Sequence, residues 1–213
     1  MDDRGPFKSK IRNLAIRNSR PLPKVPPQSA DTSIVQTFLA ITLTFLTSLA
    51  GFSPPVVRAE MFVQACFSPA GECSVHILNA VDGAQQEILV AMYAFTSMPL
   101  AQALVRARER GVAVRVILDP RFDAKSGNSV SGFLGAAGIP IAQVAGRARG
   151  NQRAGLMHQK FVVVDRAMLA SGSYNWTHAA DNFNHENLLI FRSAGPLAEE
   201  FRREFLRLWD EQP

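Results

Sequence analysis

The uncharged run from Ile34 to Phe52 (IVQTFLAITLTFLTSLAGF) constrains this 213-residue chain more than any other feature, because it cannot share a fold with what precedes it. Residues 1–33 are polar and basic and are broken by Pro21, Pro23, Pro26 and Pro27. After the run come Pro54, Pro55 and the triplet Val57-Arg58-Ala59, with small residues at the two positions a signal peptidase reads. A basic region, an apolar region and a small-x-small exit form a secretory signal. The rival reading is an uncleaved membrane anchor, since about 20 apolar residues span a bilayer. A buried core helix does not suit a uniform stretch flanked by prolines. The expected organisation is a signal or anchor over 1–59 and one domain over 60–213. That domain is periplasmic or secreted, or membrane-anchored if the signal stays on, and the basic residues remain on the cytoplasmic side.

Charge follows the same division. Residues 1–59 carry eight basic residues (Arg4, Lys8, Lys10, Arg12, Arg17, Arg20, Lys24, Arg58) against Asp2, Asp3 and Asp31, which accounts for the whole net charge of +5. The domain itself is neutral, so bulk charge is no argument for a nucleic-acid partner. Two cysteines exclude a disulfide-rich miniature scaffold, and no C-x-x-C pair offers a zinc site. In an oxidising compartment Cys66 and Cys73 are close enough in sequence to close a small loop, the alternative being two semi-buried thiols.

From residue 60 strand-like and helix-like segments alternate. Strands are expected at 61–67, 87–95 (EILVAMYAF), 112–118, 139–144, 161–164, 168–171 and 188–191, and helices at 73–86, 99–110, 129–137 and 197–209. Gly111 closes the second helix, and Asp119-Pro120 ends the strand at 112–118. Alternation early and adjacent strands later predict an α/β domain, a mixed sheet covered by helices.

The chemistry gathers between residues 158 and 187. His158-Gln159-Lys160 opens a strand, and period two puts the imidazole and the ammonium on one face, a site for a phosphate oxyanion. Asp165, seven residues from His158, falls on the opposite face, where a salt-bridging or orienting role suits it. Gly172-Ser173-Tyr174-Asn175 forms a turn running into a short helix, offering hydroxyl, carboxamide and backbone N–H donors. Glu186 is the nearest acid to bond an imidazole nitrogen and fix its tautomer. His178 and His185 read as exposed polar residues rather than metal ligands, and His76 as structural.

The spacing H-x-K-x4-D followed by G-S-x-N resembles the signature of the phospholipase D superfamily, with His158, Lys160, Asp165, Gly172, Ser173 and Asn175 all in place. Six fixed residues recur by chance on the order of once in 10⁵–10⁶ chains of this length. The likeness extends to Cys66-Phe67-Ser68-Pro69, Tyr93-Ala94-Phe95-Thr96 and Glu186-Asn187, and is strongest toward the small secreted bacterial endonucleases. It implies helices on both faces of the sheet and one half-site per chain. It further implies a homodimer whose two histidines divide nucleophilic and acid–base work through a phosphohistidine. Lysines, serines and asparagines would clamp the phosphoryl oxygens, with no cofactor and no metal.

For the substrate, the loop Gly146–Arg153 (GRARGNQR) with Arg147, Arg149 and Arg153 reads either as tracking a nucleic-acid backbone or as an ordinary solvated loop, and Trp176 as stacking on a base or simply packing. A metal-independent nuclease is the first expectation. A phospholipase D acting on a phospholipid such as cardiolipin is the alternative, and a silent phosphate-binding module the third.

Overall fold

The computed structural model describes residues 60–211, apart from 71, 126, 128, 149 and 151–153. The expectations for residues 1–59 lie outside the described residues. Within them the elements run β1 (Phe62–Ser68), α1 (Cys73–Gly83), β2 (Glu87–Met92), α2 (Met98–Glu109), β3 (Ala113–Leu118), α3 (Pro120–Lys125), α4 (Ser131–Ala136), β4 (Ile141–Gln143), β5 (Lys160–Val164), β6 (Met168–Gly172), α5 (His178–Asn182), β7 (Glu186–Arg192) and α6 (Gly195–Asp210).

The strands form one mixed sheet in the order β1-β7-β6-β5-β2-β3-β4. β2, β3 and β4 are parallel, as helical crossovers require, whereas β5, β6 and β7 are antiparallel and β1 closes the far edge against β7. β2 and β5 join the two halves by antiparallel pairing. Every residue of β2 and β5 is buried, the mark of central strands covered on both faces.

Strand parity divides the core in two. Ile88, Val90, Val162, Val164, Leu188 and Ile190 face α1, α2 and α4 through Ile77, Val81, Leu100, Leu104 and Leu134. Leu89, Ala91, Phe161, Val163 and Leu169 face the other way and meet Ala198, Phe205 and Leu208 of α6. Those three α6 positions fall on one helical stripe, and burying a Phe or Leu stabilises the fold by about 1.5–3 kcal/mol. Helices therefore lie on both faces of an α/β sheet. Gly111, at φ +92°, ends α2 in a conformation a side chain would resist. A disulfide joins Cys66 to Cys73 and ties β1 to the start of α1. The short helix α3 is absent from the sequence expectation, where Asp119-Pro120 reads only as a strand terminator.

Candidate active site

The carboxyl end of β2 is stitched to the segment beyond β6. Tyr93 N–H donates to the Gln159 carbonyl at 2.9 Å, Trp176 N–H to Ala94 O at 3.1 Å, and Thr96 and Ser97 N–H both to Trp176 O. Asn175 Oδ1 accepts the Ala94 N–H at 3.2 Å, which leaves its amide nitrogen as the donor for a ligand. These bonds bring His158, Lys160, Ser173, Asn175 and Glu186 to one end of the sheet.

His158 and Lys160 share the Tyr93 ring, as period two requires. The imidazole lies edge-on to it at 4.6 Å, and the Lys160 ammonium stands 5.2 Å from its centroid. Phe122 backs the same ring at 5.6 Å. The imidazole is exposed, whereas Lys160 is only 8% exposed and donates to the His158 carbonyl at 2.8 Å. Partial burial, and then the Lys160 charge, hold the His158 pKa below its ordinary 6.5, with Asp119 opposing. Both effects favour the neutral imidazole, the form with a free nitrogen lone pair. Burial also lowers the Lys160 pKa, opposed by the Glu186 carboxylate.

Ser173 Oγ donates to Glu186 Oε2 at 2.6 Å and accepts the Asn187 N–H at 3.0 Å. Glu186 Oε1 accepts from Asn184 Nδ2 at 3.1 Å. Within one chain Glu186 therefore grips the serine, and the expected bond to the imidazole is not made. The sheet order explains this, because β6 separates β7 from β5 and two strand spacings are about 10 Å.

Four other positions are placed as follows. Asp165 sits at the opposite end of β5, roughly 20 Å of strand from His158. There its carboxylate accepts the N–H groups of Gln85, Gln86 and Glu87 at 2.7–3.0 Å. With Arg166 it forms the β5–β6 hairpin turn, both residues at positive φ (50° and 55°). Its role is structural, as opposite-face parity suggests, and it touches no part of the His158 site. Trp176 is buried edge-on to Phe95 at 4.8 Å, so it packs the core and has no face for a base. Gly172 is there for space, since a Cβ would come within 2.2 Å of the Asn187 carbonyl oxygen. Arg147 is exposed and 3.9 Å from Glu211, while Arg149 and Arg153 lie outside the described residues.

Two residues that sequence reasoning passed over belong here. One is Tyr93, carried only as part of a resemblance. The other is Asp119, fully buried, whose carboxylate accepts the N–H groups of Arg121, Phe122 and Met157. An Asp before Pro and an apolar strand behind it is a helix N-cap signal that would have found the latter. A groove of about 540 Å³ abuts His158 between the β4–β5 loop and the end of α6, lined by Arg147, Leu156, Glu204, Arg207 and Glu211 among others. Among the described residues no three His, Cys, Asp or Glu side chains gather to hold a metal ion.

The profile of the family described as "Cardiolipin synthase, PLD-like domain" matches residues 77–209. The chain belongs to the phospholipase D superfamily. Its open mixed sheet is that superfamily's fold. Mitochondrial cardiolipin hydrolase of Canis lupus familiaris is 37% identical over 147 residues, covering 68% of this chain and 54% of the relative. A phospholipase D of Rickettsia felis is 33% identical, covering 68% of each. The chain thus spans little more than half of the first of these relatives. Among solved structures, the phospholipase D family member Nuc of Salmonella typhimurium aligns with a TM-score of 0.64 at 31% identity, covering 72% of this chain and 97% of Nuc. NucT of Helicobacter pylori, at 21% identity and a TM-score of 0.68, shares the fold.

Proposed function

We propose that this phospholipase D-superfamily hydrolase is a metal-independent endonuclease working as a homodimer through a phosphohistidine. The neutral His158 imidazole attacks phosphorus and forms the N–P bond. The P–O bond to the leaving nucleoside breaks, and that oxygen takes its proton from His158 of the partner subunit. A water deprotonated by that same imidazole then cleaves the N–P bond and releases the phosphomonoester, restoring both histidines. Lys160, Ser173 and the Asn175 amide hold the non-bridging oxygens while charge redistributes. The second copy is needed because one chain carries a single H-x-K, and a two-fold axis would present the other imidazole. Export past the cytoplasmic membrane, with residues 1–59 as signal or anchor, completes the reading.

The observation that carries the choice of nucleic acid is the stem of the arginine loop. Gly146 N–H donates to Gly155 O at 3.0 Å and Gly155 N–H to Arg147 O at 2.9 Å. The pinched stem ends two residues before Met157-His158, so Arg147, with Arg149 and Arg153 following it in sequence, departs from the flank of the nucleophile. A run of phosphates in register with the scissile one is the ligand such a loop suits. The second reading, hydrolysis of a phospholipid such as cardiolipin, is favoured by the names of the 33–37% identical relatives.

The test uses residues 60–213, with and without His158→Ala, in excess EDTA with plasmid, single-stranded DNA, RNA and cardiolipin-containing vesicles. Cleavage of nucleic acid by the wild type alone is the expected result. Headgroup release with intact nucleic acid moves the case to the lipid reading. Activity that appears only after metal is restored contradicts the chemistry proposed for either.

A further inference from the structure

Asp119 lies outside the motif and touches no reacting group, yet its contacts converge on the strand that carries the nucleophile. The residue follows β3 directly and is fully buried. One carboxylate oxygen accepts the Arg121 and Phe122 N–H groups at 3.0 and 3.2 Å, capping α3. The other reaches 38 residues along the chain to accept the Met157 N–H at 2.9 Å, one residue before His158. Arg121 completes the link. Its Nε lies 4.0 Å from the carboxylate, and its Nη2 donates to the Gly155 carbonyl. The cap also sets Phe122, which backs the Tyr93 ring that both His158 and Lys160 contact.

A buried carboxylate is a costly anchor, and leaving one unpaired costs more than a neutral group would. Three N–H groups supply its hydrogen bonds, and the Arg121 guanidinium adds a positive charge at 4.0 Å without bonding it. Pro120, which has no N–H to give a sheet, already ends β3, so strand termination alone does not call for a charge. The charge instead fixes the height of Met157, and hence of His158, against the end of the sheet.

We propose that Asp119 is a positioning residue for the His158 nucleophile, acting through the Met157 backbone and, with Arg121, coupling the stem of the arginine loop to the attacking imidazole. This rests on His158 being the nucleophile of the proposed reaction. The groups facing the imidazole are Lys160 from β5, Asp119 from the end of β3 and the Tyr93 ring beyond β2, while Glu186 from β7 acts on Lys160. Asp119 is the member that raises the His158 pKa. Removing its charge must lower that pKa further. Removing Arg121 takes away the hydrogen bond to the Gly155 carbonyl while leaving the Asp119 bonds to the backbone N–H groups.

The experiment compares Asp119→Asn and Arg121→Ala with the wild type by NMR titration of the His158 imidazole and by turnover of bis(p-nitrophenyl) phosphate. Circular dichroism fixes the folded fraction. The expected results are a lowered imidazole pKa in Asp119→Asn and a moved His158 resonance in both variants. With them comes a fall in kcat of roughly 10- to 100-fold for Asp119→Asn, with KM changed less than threefold, as misplacing a reacting atom by about an ångström would produce. If Asp119→Asn does not fold, the moved His158 resonance and the fall in kcat of Arg121→Ala, which loses the Gly155 link, carry the test. Unmoved imidazole titration in a folded variant overturns the positioning role, as does a loss of kcat no larger than the unfolded fraction. The titration needs no turnover, so a wild type inert on the diester would sink the functional reading while the shifts still decide this one.

Discussion

Asp119 and Asp165 are both aspartates directly after a strand, and each collects three backbone N–H groups from neighbouring turns, yet they hold opposite ends of one sheet. Asp165 belongs to the signature spacing and stands at the end remote from His158. Asp119 belongs to no motif and stands behind His158. β5 is the reason, since its five buried residues run from Lys160 to Val164 and carry a motif that is compact in sequence across the full depth of the sheet. A motif therefore records two jobs: one end arranges charge for chemistry, and the other locks a hairpin and the α1–β2 turn so that the strand between them keeps its register.

Breaking the chemical end should have the largest effects. His158→Ala is expected to lower diester turnover by about 10³-fold or more with the melting temperature unchanged, because it removes an exposed nucleophile. Lys160→Ala should cost about 10²–10³-fold in kcat, read in the same assay, since it deletes the buried cation beside the phosphoryl site. Breaking the other end should look different in kind. Asp165→Ala leaves three turn N–H groups without their acceptor and puts alanine at φ 50°, so stability should fall by about 1–3 kcal/mol in denaturant unfolding. Turnover per folded molecule should stay within twofold of wild type. A tenfold loss there, at full folding, would erase the distinction between the two ends.

Smaller effects sharpen the same contrast. Arg147→Ala should raise KM for DNA and reduce the salt slope of binding by about one, measured by titration at several ionic strengths, with kcat little changed. In the pH profile, burial and Lys160 keep His158 deprotonated to lower pH than a free imidazole. Protonation silences a nucleophile, so the acid limb of kcat/KM should fall below 6.5 and not above it.

Much of this was legible in the sequence because the signals are local. Period two put His158 and Lys160 together, the apolar runs marked β2 and β5, and the cysteine spacing suggested the bridge now seen between Cys66 and Cys73. What stayed hidden depends on sheet order, which no local pattern carries. Glu186 meets Ser173 rather than the imidazole because β6 intervenes. Trp176 is core because the Phe95 segment is laid against it by a parallel bridge between segments 81 residues apart. Asp119 finds Met157 only once β3, β2 and β5 are aligned. The arginines of the β4–β5 loop were visible as a composition, but only the Gly146–Gly155 stem says from where Arg147 departs.

The most direct test of the central claim, that His158 attacks phosphorus with the protein's own groups doing the rest, is stereochemical. A dinucleoside phosphorothioate of one configuration would be hydrolysed in ¹⁸O-water with excess EDTA, and the configuration of the product determined. Two displacements through a phosphohistidine predict retention at phosphorus. Inversion would mean that water attacks directly and that His158 is no nucleophile.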